Sequence, residues 1–367
     1  MRSICIAVAC FFVPNILAIR AGDSPFDALD ATDIPDDERF EGMPEEIVAV
    51  LPDNRGLIGC ISLSPDGRWL AFGDDNRIRL VRADALDEAS TLRGHKTMVL
   101  SLAFSRDGMF LFSSDDDGAL KMWNLQGDRP AELDVDTLKD SGGAFDMVVS
   151  ADGTSLFTAS GESPGSGKRR GIAKWDLTQG APVEVRRFGE DPNLAGIVVA
   201  VSDDGHLMAM LGVDTDHYSF VRLALWDVDS GERLMRFDEL GLPNDVALSP
   251  DGRRLISSDG GMFRRSRLLL WDLERAEGPA QSMELRGHDY WAVPFTRFAP
   301  DGEAIISAGI DGRVIIWDAE SGEKRRVISF GFSHSQTASS ADCRYLATAY
   351  RGGPVYIVRL FDDAVGD

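Results

Sequence analysis

A four-residue turn motif recurs seven times along this chain and constrains the fold more than any other feature of the sequence. Each copy has a serine or alanine, one variable residue, an aspartate, and then glycine or, once, Cys343. Short β-prone runs flank each copy, such as 99–104 before the second. Because glycine readily adopts the positive φ that a tight hairpin turn needs, the motif predicts seven β-hairpins. The copies begin at Ser64, Ser105, Ser150, Ser202, Ser249, Ala299 and Ser340.

A third apolar run closes each unit at a hydrophobic anchor residue. The anchors lie 41 to 52 residues apart, a period that predicts the four-stranded blades of a propeller. Five of them are tryptophans followed by aspartate or asparagine, and the outer two are valines followed by arginine. The anchors are Val81, Trp123, Trp175, Trp226, Trp271, Trp317 and Val358.

These units resemble the WD-repeat family of β-propellers over residues 46–361. The resemblance implies an all-β, seven-bladed propeller of four-stranded antiparallel blades. In the family a buried histidine, serine, aspartate and tryptophan form one hydrogen-bonded network, and two units of this chain carry all four residue types at the family's positions. These are His95, Ser113, Asp117 and Trp123 in the second unit, and His288, Ser307, Asp311 and Trp317 in the sixth. Units three to five lack the histidine, so packing is expected to hold them.

The two ends of the repeat region predict how the ring closes. Residues 46–51 form an apolar run before the first turn motif, while the last unit ends soon after residues 355–360 and lacks a fourth strand. If the early run supplies that strand, both chain ends meet in one blade and its open edge is paired. We therefore expect an N-terminal strand to complete the last blade.

The segments before and after the repeat region differ from that region in composition. Residues 1–21 begin with Arg2 and continue with an apolar run too short for a membrane span, which predicts a cleaved export signal, with retention or lipid attachment at Cys10 as alternatives. Residues 22–45 hold nine acids against Arg39 alone and predict a disordered acidic leader, and residues 362–367 form an acidic tail. These features favour a periplasmic or extracellular protein of bacterial exported type.

The net charge limits the kinds of partner that this chain can bind, and the cysteine count limits its disulfides. The net charge is −22, and −13 remains on residues 46–361 once the flanking segments are removed, so nucleic acid is a poor partner. Beyond the signal only Cys60 and Cys343 remain, and we expect them to be unpaired because one begins an inner strand and the other lies in a turn at the far end. We expect a monomer without a cofactor.

The longest connections predict a binding face. The extra length of units three to five lies between their second and third strands, where two insertions are basic. Such insertions on consecutive repeats mark a binding side, although solvated loop tips are the alternative. Tyr290, beside Trp291, adds an aromatic candidate, with packing between blades the alternative for Trp291. The candidate residues are Lys168, Arg169, Arg170, His217, Tyr218, Arg264, Arg265, Arg267 and Tyr290.

Sequence patterns typical of catalysis fail in context. Residues 161–165 match the nucleophile-elbow text, but Pro164 lacks the N–H that an oxyanion hole would use. The five histidines show no metal-ligand spacing. We therefore predict a noncatalytic scaffold for a protein or peptide partner. The alternatives are a propeller hydrolase or lactonase with an axial divalent ion, and a small-ligand or glycan-binding propeller.

Overall fold

The structure is a computed structural model of the chain. It describes residues 24–51, 56–126, 130–133, 144–160, 171–189, 194–214, 221–237, 243–261, 264–274, 280–289, 292–350 and 353–361. Within these ranges the chain forms seven four-stranded antiparallel sheets arranged as the blades of a ring, which confirms the predicted seven-bladed propeller.

The blades follow one another along the chain, each running from its inner to its outer strand. Blade one contains β2 (Ile58–Leu63), β3 (Trp69–Asp74), β4 (Arg77–Arg82) and β5 (Ala85–Arg93); blade two β6 (Val99–Phe104), β7 (Phe110–Asp115), β8 (Leu120–Asn124) and β9 (Ala131–Leu133); blade three β10 (Asp146–Val149), β11 (Ser155–Ser160), β12 (Gly171–Asp176) and β13 (Val183–Phe188).

The remaining strands complete the ring. Blade four contains β14 (Leu194–Val201), β15 (Leu207–Asp214), β16 (Val221–Asp227) and β17 (Arg233–Phe237); blade five β18 (Val246–Leu248), β19 (Arg254–Gly261), β20 (Arg264–Asp272) and β21 (Ala280–Arg286); blade six β22 (Phe295–Phe298), β23 (Ala304–Ala308), β24 (Arg313–Asp318) and β25 (Lys324–Ser329); blade seven β26 (Gln336–Ser339), β27 (Tyr345–Ala349), β28 (Val355–Arg359) and β1 (Ile47–Leu51).

The seven turn motifs join the first and second strands of the blades at one end of the ring, here called the turn end. In the first, Ser64 Oγ donates to Asp66 Oδ1 (2.6 Å) and accepts the Trp69 N–H (2.9 Å). Gly67 has φ +70°, and Cys343 takes the corresponding left-handed conformation at +58° in the last copy. The serine and aspartate thus satisfy polar groups that a two-strand turn would otherwise leave unpaired. The opposite end is called the loop end.

Apolar packing between neighbouring blades forms the core. The described residues make seven apolar clusters, one at each seam between blades. The seam between blades one and two, for example, joins Leu80 on β4 to Leu111 on β7 and Trp123 on β8. Each blade therefore buries both of its faces, and the strands read as nearly continuous apolar runs.

The ring closes through β1, as predicted. Residues Ala49, Val50 and Leu51 pair with Ile357, Tyr356 and Val355 of β28, so β1 is the outer strand of blade seven. This clasp joins the two ends of the repeat region in one sheet and pairs an edge that would otherwise be open.

The acidic segment before β1 is ordered from Ser24 onward, in contrast to the predicted disordered leader. Three short 3₁₀ helices (Pro25–Ala28, Ala31–Asp33 and Asp36–Glu38) lie against blades seven and one, and Phe26 is completely buried among residues of both blades. Ile34 packs at the seam between blades six and seven. Apolar residues spaced among the acids therefore anchor the segment, and burying them offsets the entropy lost on ordering it.

Polar contacts with blade seven hold the same segment. Asp27 accepts hydrogen bonds from Tyr345 Oη (2.5 Å) and Arg344 Nη1 (3.1 Å), and Arg359 Nη2 donates to the Leu29 carbonyl (2.8 Å). Partial burial alone would raise the pKa of Asp27, but the bonds from Tyr345 and Arg344 outweigh it and hold the pKa below its usual range. The leader is thus part of the clasp.

Two further expectations concern cysteines and membrane spans. Cys60 and Cys343 are both buried and unpaired, as predicted. Among the described residues, no helix is long and apolar enough to cross a membrane.

We predict that Phe26→Ala lowers the free energy of unfolding by about 3–5 kcal/mol, because it leaves a cavity at the seam between blades seven and one. Urea unfolding of the whole chain measures this loss. Val185→Ala is the control, since Val185 is 55% exposed on an outer strand. A disordered leader would instead make the two variants equally harmless.

Candidate functional site

The histidine, serine and tryptophan residues predicted for blades two and six form buried hydrogen-bonded networks within those blades. In blade six, Trp317 Nε1 donates to Ser307 Oγ (2.8 Å), His288 Nε2 lies 2.8 Å from the same oxygen, and His288 Nδ1 lies 3.0 Å from Asp311 Oδ1. All four predicted residues of this blade come together, and the histidine and serine are buried. The network therefore supports the blade and presents no group to a ligand.

Blade two has the same network with a different aspartate from the one predicted. His95 Nε2 lies 2.6 Å from Ser113 Oγ, but Nδ1 lies 2.9 Å from Asp115 and not from Asp117. Asp115 ends β7 as a buried residue and also accepts the Ala119 N–H (2.8 Å), whereas Asp117 is exposed in the following turn. The turns of blades two and six have the same length, but blade two carries Asp115 where blade six has Gly309, and this earlier aspartate meets the histidine in place of Asp117.

Electrostatics favour the charged form of this carboxylate. Burial raises the pKa of Asp115, but the hydrogen bonds from His95 and Ala119 lower it by more, so the pKa lies below its usual range. The same balance operates at Asp311, where His288 is the partner. Both networks are thus fully satisfied structural units.

The tryptophan–hydroxyl bond persists where the histidine is missing. Trp175 Nε1 donates to Thr158 Oγ1 (3.0 Å) in blade three, and Trp271 Nε1 donates to Ser257 Oγ (2.9 Å) in blade five. In blade four Met210 occupies the hydroxyl position, and Trp226 Nε1 is buried with no hydrogen-bond partner. Blades three and five therefore retain half of the network, and of the three blades without the histidine, blade four relies on packing, as at the ring contact between Phe188 and Trp226.

Blade seven contains a third buried histidine that the sequence pattern did not assign. His334 precedes the inner strand as His95 and His288 do, and its Nδ1 lies 2.9 Å from Thr348 Oγ1. Burial lowers the pKa of His334 to about 4, so the ring is neutral at physiological pH. Phe330 packs edge-on at 4.5 Å. His334 is therefore a buried structural residue of blade seven.

Most of the predicted binding face lies outside the described residues. This holds for Lys168, Arg169, Arg170, His217, Tyr218 and Tyr290, and for the side chains of Arg264 and Arg265. Arg267 is described, and it differs from the prediction: it lies within β20, half-buried, with Nη1 3.4 Å from Glu284 Oε2. Asp289, beside Tyr290, is ion-paired with Arg313 (2.7 Å). Arg267 is therefore part of the sheet and not a free loop cation.

The strands of blades four and five extend further at the loop end than those of blade six. In blade six the central hairpin ends level with the inner strand, at Ala308 paired with Val314. In blade five the pairing of β19 with β20 continues to Gly261 and Arg264, and in blade four β14 pairs with β15 as far as Leu194 and Asp214. Each projects about three residues further, roughly 10 Å at the usual rise per residue. The projections form a raised wall on one side of the loop end.

The inner strands, which surround the ring axis, carry two buried aspartates that the sequence reading missed. Asp245 Oδ2 in blade five accepts the Thr296 N–H of blade six (2.5 Å) and Thr296 Oγ1 (3.0 Å). Asp146 Oδ2 in blade three accepts the Val199 N–H of blade four (2.9 Å). Each carboxyl group thus joins two neighbouring inner strands. The partners lie 51 and 53 residues away, so no local sequence signal announces them.

Burial makes these two groups unusual acids. It raises the pKa of Asp245 to about 7, and the bonds from Thr296 only partly oppose it. The pKa of Asp146 is raised well above its usual value, by burial and by the neighbouring Asp245 charge, although the Val199 N–H lowers it. Near the turn end, burial likewise raises the pKa of Asp203 to about 6 against the opposing charges of Arg297 and Arg106. Burial thus raises the pKa of all three carboxyl groups.

Within the described part of the chain, no three histidine, cysteine, aspartate or glutamate side chains are grouped closely enough to hold a metal ion. The elbow-like sequence at residues 161–165 lies outside the described residues.

Comparison with known proteins identifies the repeats. The family described as "WD domain, G-beta repeat" matches residues 45–81, 87–124 and 280–318. The last two segments contain the complete networks of blades two and six. Each match begins at the outer strand of one blade and runs through the third strand of the next, which is the offset that places β1 in blade seven.

Several curated proteins match parts of this chain in sequence, and a solved structure has the same fold. WD repeat and SOCS box-containing protein 1 of Danio rerio is 32% identical over 100 residues, covering 27% of this chain and 22% of that protein. Periodic tryptophan protein 2 and the Ribosome biogenesis protein WDR12 homolog, both of Arabidopsis thaliana, are 23% and 21% identical over 82% and 80% of this chain. The chain spans only 32% and 61% of those two proteins. Kuenenia stuttgartiensis Hydrazine Synthase has the same fold (TM-score 0.66, 15% identity, 89% of this chain and 100% of that one).

We predict that Trp317→Phe costs more stability than Trp226→Phe, by roughly 1–3 kcal/mol in the free energy of unfolding. The first change removes the bond to Ser307, while the second removes a buried N–H that has no partner. Urea unfolding of both variants gives the difference. Equal losses would show that the indole hydrogen bond contributes nothing to the blade.

We predict that the stability difference between Asp245→Asn and the unsubstituted chain depends on pH. The folded-state pKa of Asp245, about 7, lies above the unfolded value, so the chain loses stability as pH rises from about 4 to 7 and this carboxyl ionises. Asparagine still accepts the Thr296 N–H and does not ionise. The variant should therefore gain in relative melting temperature between pH 5 and pH 8, and a pH-independent difference would contradict the assignment. Asp84→Asn, at an exposed site, is the control.

Proposed function

We propose that the chain is a WD-repeat β-propeller that acts as a noncatalytic scaffold and binds a protein or peptide at the loop end of blades three to five; three of its segments match the WD-repeat family. Propellers with WD repeats are commonly protein-interaction scaffolds. One observation carries the choice of face: the hairpins of blades four and five project roughly 10 Å further there than the hairpin of blade six. Such a projection supplies relief that a partner surface can complement.

Charge supports the same face and indicates the kind of partner. The sequence places Lys168, Arg169 and Arg170 between the central strands of blade three, and Arg264 and Arg265 at the tip of the blade-five hairpin. These cations stand against a chain of net charge −22. An acidic partner would be steered toward them and away from the rest of the surface.

The internal polar groups are consistent with a scaffold. The histidines, serines and tryptophans of blades two and six bond to one another and are buried. Asp146 and Asp245 accept backbone amides of the neighbouring blade. These groups hold blades together, so in this proposal the partner contacts come from the projecting loops.

We further propose that the partner is met outside the cytoplasm, as the export signal predicted for residues 1–21 implies. N-terminal sequencing of the chain recovered from its native host tests this point directly. A start between residues 19 and 22 supports export, and an intact Met1 contradicts it.

The binding face is tested by charge reversal. We predict that changing Lys168, Arg169, Arg170, Arg264 and Arg265 to glutamate leaves the melting temperature within a few degrees but abolishes capture of an acidic partner from native extract. The control reverses five exposed cations at the turn end, Arg68, Arg82, Arg233, Arg253 and Lys324, which gives the same change in net charge. Equal capture by the two variants would overturn the proposed face, whereas loss only with the first supports it.

A further inference from the structure

A cavity of about 700 Å³ lies between the N-terminal 3₁₀ helices and the seam of blades seven and one. Pro25, Leu29 and Ile34 of the leader line one side. Its size falls within the range on the order of 300–1,000 Å³ that is typical of small-molecule sites. The cavity exists only because the leader packs over this seam.

The wall formed by the blades is apolar. Leu51 of β1, Phe72 of β3 and Val81 of β4 line the cavity, and all three are buried core residues of the seam. An apolar surface of this kind favours a hydrocarbon or aromatic group over a fully hydrated one.

One cation interrupts this apolar wall. Arg79 lies in β4, paired with Phe72 on one side and Thr91 on the other, so its side chain leaves the same sheet face as Phe72. It lines the cavity, and its Nε is buried without a hydrogen-bond partner. A buried guanidinium nitrogen without an acceptor is costly, and an incoming anion would remove that cost.

Blade two shows what the missing partner is. Lys121 occupies the position equivalent to Arg79, two residues before the third-strand anchor, and it is ion-paired with Glu132 on the outer strand. Glu132 pairs with Trp123, as Ala89 pairs with Val81 in blade one. Ala89 lines the cavity and cannot accept a hydrogen bond through its side chain. Blade one thus keeps the cation, lacks the acid, and has open space beside it.

We propose that this cavity binds a small apolar molecule that carries a single carboxylate, with the carboxylate on Arg79 and the apolar part against Phe72, Val81 and Leu51. The site is independent of the partner-binding face, which lies at the loop end of blades three to five.

The rim of the cavity restricts the charge of the ligand. Asp30, Asp33, Glu38 and Asp84 also line it. Asp84 is ion-paired with Arg82 (2.6 Å), and Asp30 accepts a hydrogen bond from the Thr32 N–H (2.8 Å). These carboxylates repel multiply charged anions such as phosphate, while a single charge that reaches Arg79 leaves its tail among apolar side chains. A monocarboxylate therefore fits better than a phosphate ester.

Calorimetric titration of the whole chain with octanoate tests the proposal. We expect saturable binding of one octanoate, affinity at least about tenfold weaker for octanol and octylammonium, and no binding of inorganic phosphate. Octanol binding as tightly as octanoate would overturn the role of Arg79, and absence of octanoate binding would overturn the site.

Two pairs of variants separate the charge from the fold. Arg79→Gln should weaken octanoate binding at least about tenfold, while Arg77→Gln, two residues away on the same strand, should not. Ala89→Glu should also abolish binding, because it gives Arg79 the internal partner that Lys121 has in blade two, whereas Ala89→Gln, which is equally large but uncharged, should retain measurable octanoate binding. A thermal melt of each variant verifies folding, so a folded Ala89→Glu that still binds octanoate would overturn the proposal even if Arg79→Gln failed to fold.

Discussion

The packing of each blade against its two neighbours is the interaction on which the rest of this structure depends. A four-stranded sheet with two apolar faces is not stable alone. Each of the seven seams buries one face of each of the two blades that meet there. Such a ring is stable only when it is closed, and closure requires β1 to reach across from the start of the repeat region and pair with β28. The order of the leader follows from the same requirement, because Phe26 and Ile34 finish the seams on either side of blade seven.

Within the blades, the polar network is less uniform than the packing. The common element is the bond from the third-strand tryptophan to a hydroxyl on the second strand, present in blades two, three, five and six. Histidine and aspartate extend it in only two of these blades, and blade four lacks the hydroxyl altogether, with Met210 in its place. The ring tolerates this variation because the contact area between blades, and not the network, stabilises each seam.

Much of this could be predicted from the sequence, for reasons that are local. The turn motif combines a serine that caps, an aspartate that accepts and a glycine of positive φ within four residues, so its recurrence predicted the number of blades. The apolar run at residues 46–51 and the missing fourth strand of the last unit predicted the clasp. Composition misjudged the leader, since its nine acids outweighed the two apolar residues, Phe26 and Ile34, that anchor it. Counting along the chain misplaced the aspartate of blade two, where Asp115 and not Asp117 meets His95. The candidate cations at the loop end were located by insertion length alone, and for Arg267 the structure replaces a free loop residue by one paired with Glu284.

What the sequence could not show is where a polar side chain lies on an apolar blade face. Asp146 and Arg79 lie in strands that read as core and Asp245 directly precedes one, and only the neighbouring blade or the leader determines their surroundings. Each of the two aspartates accepts a hydrogen bond from a backbone amide of the next blade, so its carboxyl group stabilises the seam between the two blades. For Arg79 nothing equivalent to Glu132 faces it, and a cavity lies beside it under the leader. A buried polar atom without a partner is costly, and a backbone amide removes that cost for each of the two aspartates. For Arg79 the buried Nε has no such partner, and an anion that enters the cavity would supply one.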